Sequence, residues 1–456
     1  MDLRGKRVLV AGLGRSGVAA ALFLQEHGAR VTVSDSKSQE HLREEIPHLL
    51  DAGIEVETGG HGERTFQQQD LIVLSPGIPL SVPQLAHARH DGIPVIGEVE
   101  LASRFLRGRI IGITGSNGKT TTTALTGEIL AASDRPTLVG GNIGTPAISL
   151  AASSTRDGWN VLEISSFQLE TIERFCPEIA IVLNITPDHL DRHGSMEAYI
   201  AAKRRIFENQ TAAHWAVLNA DDPNCVRMAD GLRSQVCWFS RKREVEQGAF
   251  VRDGNVLFRR SGDSTVVLPV GEIPLKGAHN LENVLAAVCA GMLAGCQPAQ
   301  IRAAVRGFRA VEHRLEYVAT VGGVQYYNDS KATNVDATIK ALESFPANVH
   351  LILGGKDKGS DYSVLAPLLR ERAARVYTIG AAAEKIESQI GEAAEVVRAG
   401  TLEVAVKRAA ASSAPGEVVL LAPACASFDQ FESYEHRGRV FKELVQSLVA
   451  KAGNAA

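Results

Sequence analysis

Short runs of β-branched and other apolar residues recur along the chain, each closed by glycine, small polar or acidic residues and each followed by an alanine-rich stretch of helical character. A strand buried on both faces reads as a continuous apolar run, so the alternation predicts an α/β protein with parallel sheets covered by helices. Three series separate. The first contains VLVAG, VTVSD, LIVLSPG and PVIG and closes at Gly97. The second opens at RIIGITGSNGKT and continues through NVLEISS, IAIVLNIT, a helix, AVLNADD and a hairpin-like stretch from Val251 to Leu268. The third contains VQYYNDS, VHLILGG, RVYTIG and EVVLLAP, each strand running directly into a loop. The predicted domains are residues 1–97, 98–310 and 311–456, which agrees with about 150 residues per domain for a chain of 456.

Composition narrows the function by exclusion. The 48 basic and 52 acidic residues, net charge −4, are mixed along the sequence. No run of one sign forms a footprint for nucleic acid or membrane, so an anionic substrate needs a local positive site. The six cysteines are scattered without C-x-x-C pairs, which argues for reduced thiols rather than a disulfide framework or zinc site. No segment approaches the roughly 18 apolar residues of a membrane span, and the start enters a strand without a cleavage signal, so the chain is expected to be cytoplasmic.

Two glycine turns carry the chemistry. Gly12, Gly14 and Gly17, with Asp35 ending the next strand, fit the dinucleotide fingerprint. The turn itself asks only for a diphosphate at a helix start, and the first series is too short for both halves of a dinucleotide-binding sheet. The second turn, IIGITGSNGKTTTT, is a strand, a loop of Gly115, Ser116, Asn117 and Gly118, then Lys119, Thr120 and Thr121 opening a helix. Glycines let backbone wrap a phosphate, the lysine reaches terminal oxygens, and the threonine hydroxyl suits Mg²⁺. A solvated lysine on a glycine-rich turn is the plainer alternative, which the strand-loop-helix context disfavours. Glu163 lies in an apolar strand, where a metal ion or an ion pair has to compensate its charge. His189 follows IAIVLNIT, at the strand end where open α/β sheets place ligand crevices.

The short G-x-x-G-K-T loop is followed, in order, by GGNIGTP, LEISSFQLE, NITPDHLDRH, AAKRRIF, GAHNLENVLAA, EHRLE and YNDSKATN. This set, spanning the whole chain, resembles the Mur ligase family, the ATP-dependent amide-forming enzymes of bacterial cell-wall precursor synthesis. NDSKATN together with APACASFDQFESYEHRG is most similar to the branch that adds D-glutamate to UDP-N-acetylmuramoyl-L-alanine, although Ala422 and Tyr434 stand where that family often has Ser and Phe.

The resemblance implies a Rossmann-like UDP-binding domain, a P-loop-type central ATPase domain, and a Rossmann-like C-terminal domain that binds the amino acid and closes on ATP. It implies transfer of the γ-phosphoryl group to the substrate carboxylate, then attack by the D-glutamate amine, with loss of phosphate and ADP. Gly14, Arg15 and Ser16 are expected at the UDP diphosphate, Asp35, Ser36 and Lys37 near uridine, and Ser75, Pro76 and Gly77 as a second wall. Besides the phosphate loop, Asn280 is expected at adenine and Arg314 and Asp329 at the phosphates and ribose. Asn142 meets phosphate and acyl substrate, and Asp188 is expected to orient His189. Lys331, Thr333, Lys358, Ser427 and Phe428, with Tyr434 nearby, are expected to hold D-glutamate, while Lys358 reads nearly as well as a solvated loop charge.

Two magnesium ions are implied, with Thr120, Glu163, His189 and a CO₂-derived carbamate on Lys203 as ligands. In YIAAKRRIF, Lys203 stands four residues after Tyr199 and four before Phe207, a shared helical face whose desolvation favours the neutral amine that adds CO₂. A snorkelling lysine is the plainer reading. A monomer acting on small molecules is expected. A folate-type glutamate ligase and a P-loop switch that makes no bond are the alternatives, and the ordered set of ligase residues weighs against the second.

Overall fold

The computed structural model describes residues 1–43, 45–142, 144–309 and 312–453. Its first sheet has β1 (Arg7–Ala11), β2 (Arg30–Asp35), β3 (Glu55–Thr58), β4 (Leu71–Leu74) and β5 (Val95–Gly97) in the order β3-β2-β1-β4-β5. All neighbours pair in parallel. Connections leave β1 on one side for β2 and return on the other for β4, so a crevice opens between the loops after β1 and β4. The Gly12 turn and Ser75 lie at those two strand ends.

The second sheet runs β6 (Arg109–Thr114), β7 (Thr137–Gly141), β8 (Trp159–Glu163), β9 (Ile179–Val182), β10 (Trp215–Asn219), β11 (Gln235–Ser240), β12 (Gly248–Arg252), β13 (Asn255–Arg260) and β14 (Asp263–Pro269). Their spatial order is β14-β13-β12-β11-β10-β9-β6-β8-β7. The hairpin-like stretch is a three-strand antiparallel meander on the edge of an otherwise parallel sheet. β6 lies between β8 and β9, so its phosphate loop opens at a reversal of strand order.

The third sheet contains β15 (Glu316–Val321), β16 (Val324–Asn328), β17 (Val349–Gly354), β18 (Ala373–Ile379), β19 (Val396–Gly400) and β20 (Val418–Leu421), ordered β15-β16-β20-β17-β18-β19. Only β15 is antiparallel to its neighbour. Insertion of β20 between β16 and β17 brings Asn328, Leu421 and Ile352 into register, so three loops leave the sheet at one end. Apolar residues on both faces form two cores, one around Leu351, Leu353 and Leu420, the other around Ile352, Tyr377 and Phe441.

Compactness divides the chain into two units. One holds Met1–Ile185, Glu197–Val270 and Asn283–Arg306; the other holds Thr186–Met196, Gly271–Glu282 and the residues from Gly307 onward. Within the first unit, the helix Glu98–Ser103 joins the first two sheets through two buried carboxylates. Glu98 Oε1 accepts Ile148 N–H at 2.7 Å. Glu100 Oε2 accepts the N–H groups of Glu173, Arg174 and Phe175 at 2.8, 2.9 and 2.9 Å, while Arg104 Nε donates to Oε1 at 2.8 Å. Burial pushes the Glu98 carboxyl up to about 7.

Candidate active site

At the first turn, Gly12 has φ +92° and a side chain on Gly17 would collide with the Gly12 carbonyl, so the fingerprint glycines serve a tight approach of helix to strand. Ser75 Oγ donates to Gly12 O at 2.8 Å, and Asp35 accepts Leu13 N–H at 2.7 Å and Lys37 N–H at 2.8 Å. Asp35, expected near uridine, and Ser75, expected in a second wall, thus both hold the turn. Gly14 starts the helix Arg15–Glu26 without a side-chain cap, a helix start whose positive end suits an anion. Arg15, Ser36, Lys37 and Gly77 are exposed, and Ser16 and Pro76 are half-buried.

The phosphate loop is held from below. Asn117 N–H donates to Asn184 Oδ1 at 2.8 Å and Asn184 Nδ2 donates back to Asn117 O at 3.1 Å. Ser116 Oγ lies 3.0 Å from the Tyr199 hydroxyl. Gly115 and Gly118 have φ of +148° and +85°, and a side chain at Gly118 would strike Asn283. The helix Lys119–Ala131 begins at Gly118 with no side-chain cap. Lys119 Nζ folds back onto the carbonyls of Gly115 and Ser116 at 3.0 and 2.8 Å. The cradle has the shape and donors that phosphate needs.

Beside it, Thr120 Oγ1 donates to Glu163 Oε2 at 2.8 Å and Asn142 Nδ2 donates to Oε1 at 3.0 Å. Glu163 is buried at the end of β8, and Thr121 is buried in the first turn of the helix that follows the loop. A hydroxyl and an amide thus both donate to the carboxylate for which a metal ion or an ion pair was expected. Two hard oxygens, one a buried carboxylate, suit Mg²⁺. Lys203 Nζ, also buried, donates to Gly115 O at 2.8 Å and Thr114 Oγ1 at 3.3 Å and lies 4.8 Å from the centre of the Tyr199 ring. The shared face with Phe207 needs correction, because the α-helix Met196–Arg204 gives way to a 3₁₀ turn, Arg205–Phe207. Thus Lys119, Thr120, Asn142, Glu163 and Lys203 converge within the first unit.

The second unit gathers the rest. His189 has φ +53° and is partly exposed; Asp188 Oδ1 accepts its N–H at 3.0 Å, and Oδ2 lies 3.6 Å from its Nε2. Asp188 Oδ2 also accepts Asn334 Nδ2 at 3.2 Å, tying this loop to the helix Val335–Glu343. Asn280 Nδ2 donates to Lys276 O at 2.7 Å. Arg314 lies between two left-handed residues, His313 (φ +65°) and Leu315 (φ +41°), strain of a kind that clusters at functional sites. Burial pushes the Asp329 carboxyl up to about 6, against Arg314, the Leu315 N–H and Lys331. Burial, followed by the charges of Arg314 and Lys340, pushes His279 down to about 4.

Lys331 Nζ stands 5.1 Å from the centre of the Tyr434 ring. Its loop, which includes half-buried Thr333, is joined to the Ser427 loop by Arg437. This buried guanidinium donates to Ser330 Oγ and O at 3.0 and 2.8 Å and to Cys425 O at 3.2 Å. Ser427 is buried and Phe428 is 67% exposed. Lys358 is half-buried on the loop after β17. Sequence reasoning missed Asn184 and Arg437, and it placed Tyr199 beside Lys203 without its contact to Ser116. Asn184 stands in the quoted IAIVLNIT, but its pairing across 67 residues leaves no local pattern; Arg437 in EHRG resembles a solvated helix charge.

Three family models match the chain: "Mur ligase MurD-like, N-terminal domain" over residues 6–97, "Mur ligase middle domain" over 113–291, and "Mur ligase, glutamate ligase domain" over 313–425. Among curated relatives, the UDP-N-acetylmuramoylalanine--D-glutamate ligase of Koribacter versatilis (strain Ellin345) is 67% identical over 98% of this chain and 99% of its own. The same-named protein of Acidobacterium capsulatum is 61% identical over 100% and 99%. Among solved structures, a pseudomurein peptide ligase type C from Methanothermus fervidus superposes with a TM-score of 0.63 at 19% identity, covering 97% of this chain and 100% of its own, which is a likeness of fold. With all three models in chain order and near-full-length relatives far above 30% identity, the chain belongs to the Mur ligase family.

Proposed function

We propose that the chain is an ATP-dependent ligase that adds D-glutamate to UDP-N-acetylmuramoyl-L-alanine through an acyl phosphate, releasing ADP and phosphate, in the synthesis of peptidoglycan precursors. The observation that carries this reading is the phosphate cradle with its Thr120–Glu163 pair in a chain 67% identical to a relative of that name. Residues 1–97, 98–310 and 311–456 serve as the nucleotide-sugar, ATP and amino-acid domains. The protein works as a cytoplasmic monomer.

Forming the acyl phosphate brings two anions together, so positive charge and oriented donors do most of the work. The Gly115–Thr121 loop holds the ATP phosphates, and Lys119 exchanges its carbonyl contacts for phosphate oxygens as charge develops. Asn142, anchored on Glu163, presents its amide to the phosphate and the acyl group. Gly14, Arg15 and Ser16 bind the UDP diphosphate, with Ser36, Lys37, Pro76 and Gly77 around them and Asp35 and Ser75 shaping the turn. Asn280 is assigned to adenine, and Arg314 and Asp329 to phosphates and ribose. Lys331, Thr333, Lys358, Ser427, Phe428 and Tyr434 receive the amino acid, whose carboxylates suit ammonium and hydroxyl donors.

Mg²⁺ bound by Thr120 and Glu163 would neutralise phosphate oxygens and polarise the transferred group. Two ions are proposed, the second served by His189 and a carbamate on Lys203. Lys203 Nζ is buried with Gly115 O, Thr114 Oγ1 and the Tyr199 ring around it, and the Thr114 hydroxyl can turn from acceptor to donor when oxygen replaces ammonium.

The test incubates the chain with ATP, Mg²⁺ and UDP-N-acetylmuramoyl-L-alanine, with and without D-glutamate, and follows phosphate and product mass. Phosphate release that requires both substrates, with a product heavier by one glutamate residue, is expected. Steady ATP hydrolysis indifferent to both would instead favour a switch protein.

A further inference from the structure

The loop after β17 places Lys356, Asp357 and Lys358 in succession. Its backbone is bridged to the Ser427 loop, with Lys356 N–H donating to Ala426 O at 2.8 Å and Ala426 N–H donating back at 3.1 Å. Asp357, although flanked by two lysines, turns to a third. Lys385 Nζ, from the helix Ala383–Ile390, donates to Asp357 Oδ2 at 2.7 Å. Oδ1 accepts the Tyr362 hydroxyl at 2.8 Å and Ser360 N–H at 3.1 Å. The buried Tyr362 hydroxyl in turn lies 2.9 Å from Cys425 Sγ, two residues before Ser427.

This network has an electrostatic consequence. An amino acid with two carboxylates is repelled by an uncompensated aspartate next to Lys358, and the same aspartate competes with the substrate for that lysine's charge. Lys385 removes both effects by neutralising Asp357. It also holds Asp357 where Tyr362 connects the two loops.

We propose that Lys385 is a positioning residue for the dicarboxylic amino acid, leaving Lys358 available to a substrate carboxylate and fixing the Lys358 and Ser427 loops together. This rests on the functional reading above, which assigns those loops to D-glutamate.

The experiment uses the full-length chain and varies ATP, UDP-N-acetylmuramoyl-L-alanine and D-glutamate separately. Lys385→Met should raise KM for D-glutamate about tenfold, with kcat and the other two KM values within about twofold of wild type. Adding Asp357→Asn should bring the D-glutamate KM back to within about threefold of wild type, because the charge that needed neutralising is gone. Lys385→Arg should stay close to wild type. An unchanged D-glutamate KM in Lys385→Met, an equal rise in all three KM values, or a double variant no better than the single would overturn the proposal while leaving the ligase reading intact. A wild-type chain that turns over without any amino acid would overturn the ligase reading and this inference with it.

Discussion

Lys119 Nζ contacts carbonyls of its own loop, so its removal leaves the cradle's backbone donors in place. Lys119→Ala should therefore lower kcat about 10²–10⁴-fold while the dissociation constant for the UDP-sugar, read by calorimetry, changes less than about threefold. Lys203→Ala should lose most activity and regain part of it with a small carboxylate at high concentration; full activity in the variant would contradict the carbamate. His279 gives a stability prediction whose sign follows from its lowered pKa. Protonation is disfavoured in the fold, so the stability it contributes is complete above its ordinary value of 6.5 and is lost as pH falls toward 4. Melting temperature should fall more steeply over that window in wild type than in His279→Gln. At this scale Glu163 was legible, since a charge in an apolar strand demands compensation. Thr120 and Asn142 were also named from the sequence, but their direct hydrogen bonds to Glu163 came only with the fold, as they lie 43 and 21 residues away.

Loops between strands, rather than strands themselves, carry the chemistry, and backbone conformation limits which residues they accept. Gly118→Ala places a side chain against Asn283 at a φ of +85°, so ATP affinity should fall more than about tenfold while circular dichroism and UDP-sugar binding persist. Strands buried on both faces, such as β1, β6, β9 and β17, announced themselves as apolar runs. β3, β15 and β19 did not, because they lie at or beside sheet edges and read as mixed sequences, EVET, EYVATV and VVRAG. The 3₁₀ turn at Arg205–Phe207 was equally hidden. Arg205 leaves the helical pattern to donate to the carbonyls of Glu170 and Ile172, contacts from another part of the chain.

The sequence divides into three strand series, yet the chain packs as two units, the second of which takes in Thr186–Met196 and Gly271–Glu282 from the middle series. Interleaving of this kind depends on long-range packing and leaves no periodic trace. The join between the first two sheets has a definite chemical basis in Glu100, whose replacement by alanine strands three N–H groups and Arg104. Glu100→Ala should cost on the order of 3 kcal/mol in urea unfolding, the usual range for breaking a buried, fully hydrogen-bonded charge. The central claim is that ATP activates a carboxylate for attack by an amine. It is tested most directly by supplying UDP-N-acetylmuramoyl-L-alanine with ¹⁸O in its alanine carboxylate and measuring the mass of released phosphate. One ¹⁸O atom per phosphate, in step with amide product, is predicted; unlabelled phosphate accompanying product would contradict the acyl-phosphate route.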